Sequence, residues 1–200
     1  RIPKMPIFVD SPLAIRLTVI YEKYREYFNK GARDLMKTDD DIFRFHGLKE
    51  TTETDQSKAI LGAPNPKIII AGSGMSTGGR IVHHEKNYLP DAKNTLLLTG
   101  YQSMGTMGRQ IEDGAKSVHI MGDEVPVRAH IEKISGYSGH KDSDHLIEFV
   151  AGTADRVKKV FVVMGELKSA LFLVQRLRDY LGVSAVAPDE GESIVLTFEK

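Results

Sequence analysis

Lys67-Ile68-Ile69-Ile70-Ala71-Gly72-Ser73-Gly74-Met75-Ser76-Thr77-Gly78-Gly79 is the stretch on which the fold turns. Three successive isoleucines predict a buried strand over 67–71. The four glycines after it predict a loop, and residues 80–89 then carry a helical pattern. Strand, glycine-rich loop and helix in that order make one unit of an α/β protein, in which helices cover a sheet. The alternation continues outward. Upstream, Pro6-Ile7-Phe8-Val9-Asp10 predicts a short buried strand. After it Leu13, Leu17, Ile20, Tyr21, Tyr24 and Phe28 stand at helical spacing, with Lys30-Gly31 as the stop. Residues 36–44, with Asp39, Asp40 and Asp41, read as an acidic loop with a short helical entry. Residues 54–61 read as a helix ended by Gly62-Ala63-Pro64. Downstream come a strand over 95–99 and a glycine-bearing turn over 100–108.

Around Gly114 the style changes. Val118-His119-Ile120-Met121 and residues 125–134 read as a hairpin or meander turning at Gly122-Asp123. A second α/β stretch follows: a helix over 142–150, a strand over 159–163, a helix over 168–181, and short strands near Ala185 and over 194–198. A boundary near residue 112 is expected, giving segments 1–112 and 113–200 that pack together without a flexible linker.

Lys plus Arg and Asp plus Glu stand at 27 each, so net charge draws the chain to no polyanion and any nucleic-acid contact must be local. Without cysteine there are no disulfides and no thiolate metal sites, which is compatible with a reducing cytoplasm. No apolar run nears the roughly 18 residues that span a bilayer, so no membrane association is expected. No signal peptide is visible, and a start at Arg1 suggests a piece of a longer protein.

Several clusters carry chemical interest. Gly72-Ser73-Gly74 with Gly78-Gly79 before a helix reads either as an anion cradle or as an ordinary strand–helix turn. It matches neither a P-loop nor a dinucleotide fingerprint, and it lacks the lysine and acidic partners a nucleotide site needs. His83 and His84 are adjacent and so point about 100° apart on a helix, one exposed and one partly buried. His46, His119 and His130 carry no partner pattern. Ser135-Gly136-Tyr137-Ser138-Gly139-His140 ends a strand-like run. His140 on that turn can bind a ligand or transfer a proton. Equally, Ser138 or Asp142 can cap the next helix and leave His140 merely exposed. His140 and His145 lie five apart, which is not the spacing of a helical metal pair. Val160-Phe161-Val162-Val163-Met164-Gly165-Glu166 is a strand running into a turn, where the residues alone put Met164 in the core.

Taken together, Val9-Asp10-Ser11-Pro12-Leu13-Ala14, Ala71-Gly72-Ser73-Gly74-Met75, Gly78-Gly79-Arg80, Gly100-Tyr101-Gln102, Ser138-Gly139-His140 and Gly165-Glu166-Leu167-Lys168-Ser169-Ala170 resemble the β-CASP branch of the metallo-β-lactamase fold. These are RNA-processing nucleases related to the endonuclease subunit of the cleavage and polyadenylation factor. The resemblance implies a β-CASP α/β cap over 1–112 and the C-terminal part of a metallo-β-lactamase αββα core, the RNA specificity region, over 113–200. It implies two zinc ions, RNA as partner, and an N-terminal metallo-β-lactamase half of the same protein that supplies most metal ligands. It also admits a homodimer.

By the same resemblance His140 contacts the scissile phosphate and helps the leaving oxygen. Ser73, Gly74, Ser138 and Gly139 border the RNA path. Met164 occupies a position where the family places a zinc-binding histidine. A neutral thioether is a poor Zn²⁺ ligand, so no metal residue is assigned within the chain. Two functions are therefore expected in competition: the C-terminal part of a zinc-dependent ribonuclease, inactive by itself, or a non-catalytic RNA-binding or scaffolding relative that has lost a ligand at Met164. A nucleotide-binding protein built on the Gly72 loop ranks behind both.

Overall fold

The computed structural model describes residues 4–38 and 42–196. The packing resolves into two compact units, one running through Ser138 and one beginning at Gly139. Residue 112, near which a boundary was expected, lies inside the first unit.

The first unit opens with β1 (Ile7–Asp10), α1 (Pro12–Lys23), a 3₁₀ turn (Arg25–Tyr27) and α2 (Lys30–Met36). Next come β2 (Leu48–Glu50), α3 (Thr54–Ala59) with a 3₁₀ turn at Ile60–Gly62, β3 (Ile68–Ala71) and α4 (Ile81–Tyr88). It closes with β4 (Thr95–Leu98), α5 (Met107–Glu112), β5 (Ser117–Ile120), β6 (Asp123–Pro126) and β7 (His130–Lys133). β1 is the middle of a three-stranded parallel sheet ordered β2-β1-β3, with Ile7 beside Leu48 and Ile68, and Asp10 beside Ala71. That position buries Ile7 and Phe8 and carries Asp10 to the C-terminal edge of the sheet. β4 pairs with β7 in parallel. β5 and β6 form an antiparallel hairpin whose two turn residues, Met121 and Gly122, both hold positive φ, the twist such a hairpin favours. Leu89, Ile111, Val118, Ile120, Val125 and Ala129 form the core beneath these elements.

Several expectations need correction. α1 stops at Lys23, and Lys30-Gly31 begins a helix instead of ending one. The cause is Asn29, whose side chain accepts the Ala32 N–H at 2.9 Å and caps α2. The apolar stripe of α1 is also not core: Leu13, Leu17 and Ile20 are exposed, and Ile15 is the residue it buries. β3 is not buried as expected: Ile68 and Ile70, two residues apart and so on the same face of the strand, are exposed, while Ile69 and Ala71 on the other face are half-buried. The span 125–134 divides into β6 and β7, which pair with different partners. β2 and α5 carry too little periodicity to be read from sequence; α5 is marked by its N-cap Thr106, which accepts the Arg109 N–H.

The second unit contains α6 (Ser143–Ala151), β8 (Val160–Phe161), α7 (Leu167–Leu181) and β9 (Ala185–Val186). β8 and β9 pair in parallel, and Val174, Leu177, Val183 and Ala185 form the core. The strand expected over 194–198 is absent at 194–196, and residues 197 and 198 lie outside the described residues. No described helix is long and apolar enough to cross a membrane.

Candidate functional site

The local logic of Asp10-Ser11-Pro12 is that of a strand handing over to a helix. Ser11 caps α1 by accepting the Ala14 N–H at 3.3 Å, and Pro12 fills the first turn, where an N–H has no helical partner. Asp10, one residue earlier, is fully buried. Its Oδ1 accepts from Thr51 Oγ1 and Arg80 Nη1, each at 2.6 Å. Its Oδ2 accepts from Ser57 Oγ at 2.6 Å and His84 Nε2 at 2.7 Å. A carboxylate cannot donate, so the imidazole proton on Nε2 points at Asp10. Burial by itself raises the carboxyl pKa, but the hydrogen bonds from Ser57, Thr51, His84 and Arg80 outweigh it and hold the group at about 2. The group is a fixed anion whose lone pairs are taken. It organises; it does not shuttle protons.

Arg80 is the link from Asp10 to the glycine-rich loop. Besides the carboxylate it donates to the carbonyls of Thr51 at 2.7 Å and Thr52 at 2.6 Å. His84 lies on the buried face of α4, stacked on Tyr88, while His83 is exposed, as adjacency required.

The loop itself is closed on its own atoms. Ser73 N–H donates to Gly78 O at 3.1 Å, Ile81 N–H to Gly72 O at 3.0 Å, and Ser76 N–H to Ser73 O at 3.2 Å. Thr77 N–H donates to Ser73 Oγ at 3.1 Å. Four donors that an anion cradle needs are thereby spent, so the turn reading prevails over the cradle for this loop. At Gly79, φ is +75° and an added Cβ would sit 2.6 Å from Gly72 O, so no other residue fits there. From below, Gln102 donates Nε2–H to Gly74 O at 2.8 Å, and Gly108 N–H donates to Met75 O at 3.0 Å. Gly74 is exposed and Ser73 half-buried, so the crest faces outward.

Ser138 is the last residue of the first unit, and Gly139 and His140 begin the second. All three are exposed. Asp142 caps α6, accepting the His145 N–H at 3.0 Å and pairing with His145 Nδ1 at 2.7 Å. Those two bonds, the backbone one first, hold its carboxyl below the usual range. The capping reading of Asp142 therefore holds, and His145 is its partner. Ser73 and Gly74 fall in one unit and His140 in the other. Met164, expected in the core, is fully exposed and holds φ at +66°, because the chain leaves β8 at Phe161 and turns sharply before α7.

Sequence reading missed Asp10, Arg80 and His84 as a group. The signals available were a charged residue ending the apolar run Ile7-Phe8-Val9 and the two family-like motifs that carry Asp10 and Arg80, neither of which pairs the residues with each other or with His84. Its partners stand 41 to 74 residues away, beyond the reach of any local pattern. Among the described residues no three His, Asp or Glu side chains gather as metal ligands. Asp10 and His84 are satisfied by each other and their neighbours. The described residues therefore do not fit a zinc ion by themselves.

Residues 1–111 match the β-CASP domain family, and residues 124–188 match the Zn-dependent metallo-hydrolase RNA specificity domain. The chain is 38% identical over 173 residues to ribonuclease TTHA0252 of Thermus thermophilus, covering 86% of this chain and 39% of that protein. It is 30% identical over 199 residues to the transcription termination factor FttA of Pyrococcus horikoshii, covering 96% of this chain and 30% of that protein. To FttA of Thermococcus kodakarensis it is 31% identical over 199 residues, covering 96% and 31%. The chain thus spans well under half the length of these relatives. Both matches fall in the order the motifs implied, and the first alone covers over half the residues: the chain belongs to the β-CASP branch of the metallo-β-lactamase-fold RNA-processing nucleases.

Proposed function

We propose that this chain supplies the RNA-facing part of a zinc-dependent metallo-hydrolase that cleaves RNA phosphodiester bonds, acting with an N-terminal metallo-β-lactamase half that binds the metal. The observation that carries the reading is the loop over 72–79. Its crest is exposed at Gly74, while Arg80 ties its base to a buried carboxylate. A loop so closed is a poor trap for a free phosphate and a stiff edge against which an RNA backbone is registered, since contacts to the backbone position the strand without reading its sequence. Ser73, Gly74, Ser138 and Gly139 would border the RNA. His140 would contact the scissile phosphate and deliver a proton to the leaving oxygen. The name of the Thermus relative, a ribonuclease, supports hydrolysis, and the cysteine-free composition suits a cytoplasmic protein. The test is cleavage of single-stranded RNA by the whole protein, with zinc and after chelation. Zinc-loaded protein that leaves RNA intact would refute the reading.

One observation favours a second reading. Met164 presents a neutral thioether where the family places an imidazole, which suits a non-catalytic RNA-binding or scaffolding subunit. Met164→His in the whole protein separates the two. A scaffold stays inert before the change, whereas a nuclease cleaves already and the histidine only raises its zinc content.

A further inference from the structure

Beneath the loop lies a second buried carboxylate that the Asp10 network leaves unused. Glu85 follows His84 on α4, is 3% exposed, and accepts the Ser76 hydroxyl on Oε1 at 2.5 Å. Its Oε2 has no hydrogen-bond partner among the described residues. Ser76 is 4% exposed and holds φ at +55°, a left-handed conformation that costs an L-residue energy. A serine held there needs something to hold it. The neighbouring residues show what is being held. Gly74 O is gripped by Gln102, Met75 O by Gly108, and Ser76 Oγ by Glu85, so three consecutive residues of the crest are tied down from below. The first two grips end on backbone carbonyls. The third alone depends on which side chain stands at position 76.

We infer that Glu85 is a positioning residue for RNA, acting through Ser76 to fix the Ser73–Ser76 crest in the conformation that the RNA backbone meets. Burial raises its carboxyl to about 7 despite the Ser76 bond, so near neutrality much of it is the uncharged acid, which the dry site tolerates. An amide of the same shape keeps the acceptor for Ser76 and adds no charge. Alanine removes it.

The inference rests on the RNA-facing role proposed above, and the experiment separates the two. In the whole protein, Ser76→Ala and Glu85→Ala should each raise KM for a single-stranded RNA oligonucleotide about tenfold with kcat within about twofold, the pattern of lost ground-state binding. Glu85→Gln should restore KM to within about twofold, and the double change Ser76→Ala/Glu85→Ala should be no worse than either alone. A purely structural role predicts loss of thermal stability with KM unchanged, and that result overturns the inference. If Glu85→Ala does not fold, Ser76→Ala and Glu85→Gln carry the comparison. If the unmodified protein neither binds nor cleaves RNA, the functional reading fails. The grip is then judged by amide exchange at residues 74–77 of this chain: faster exchange in Ser76→Ala supports it, and unchanged exchange refutes it.

Discussion

Replacing Asp10 by asparagine should cost the first unit about 3 kcal/mol at pH 7. The magnitude follows from the site. The carboxyl is held at about 2 against an ordinary 3.8, a difference worth about 2.5 kcal/mol of stability at neutral pH at about 1.4 kcal/mol per pKa unit. Asparagine also turns an amide N–H₂ toward donors that have nowhere else to go, and breaking one side of a buried ion pair costs about 3–5 kcal/mol. Because the folded pKa is depressed, the carboxylate's contribution is fully present above 3.8 and is lost as pH falls through about 2. By pH 3 about 1 kcal/mol of it has gone. The gap between parent and Asp10→Asn should therefore be wide at pH 7 and narrower at pH 3. Urea denaturation followed by circular dichroism, with amide exchange at Ile7–Asp10 and Ile68–Ala71, measures it. A loss below about 0.5 kcal/mol at pH 7, or one that does not shrink in acid, would refute the view of Asp10 as an ionised hub.

Glu85 should show the opposite dependence. Its folded pKa is raised from 4.5 to about 7, so its contribution is full below 4.5 and lost as pH rises through about 7, a fall of about 3 kcal/mol. Glu85→Gln should match the parent near pH 5 and exceed it at pH 8; equal stability at both would contradict the buried-acid description. Gly108→Ala places a Cβ 1.9 Å from Gln102 Oε1 and 2.9 Å from Met75 O, and should cost about 1–3 kcal/mol, read by thermal unfolding. A neutral outcome would mean that the floor of the loop yields more easily than its packing implies. In the whole protein, His140→Ala should lower kcat for RNA cleavage about 100-fold or more with KM little changed, and an unchanged kcat would remove His140 from the chemistry.

The sequence by itself determined the fold class and the family. Apolar runs such as Ile68-Ile69-Ile70 and glycine loops such as Gly72-Ser73-Gly74 are local signals, because strand propensity and turn chemistry act over a few residues. Ordered motifs from Val9 to Ala170 added the family. Tertiary structure decided the rest. It buried Asp10 in the middle strand and supplied donors from Thr51, Ser57, Arg80 and His84, residues scattered over three segments of chain. It drew Ser76 down onto Glu85 and turned Met164 out to solvent, where the apolar strand-like run before it had put it inside. Burial and pairing across tens of residues depend on how elements pack. A period of two or of 3.6 carries no information about which distant partner a side chain will meet.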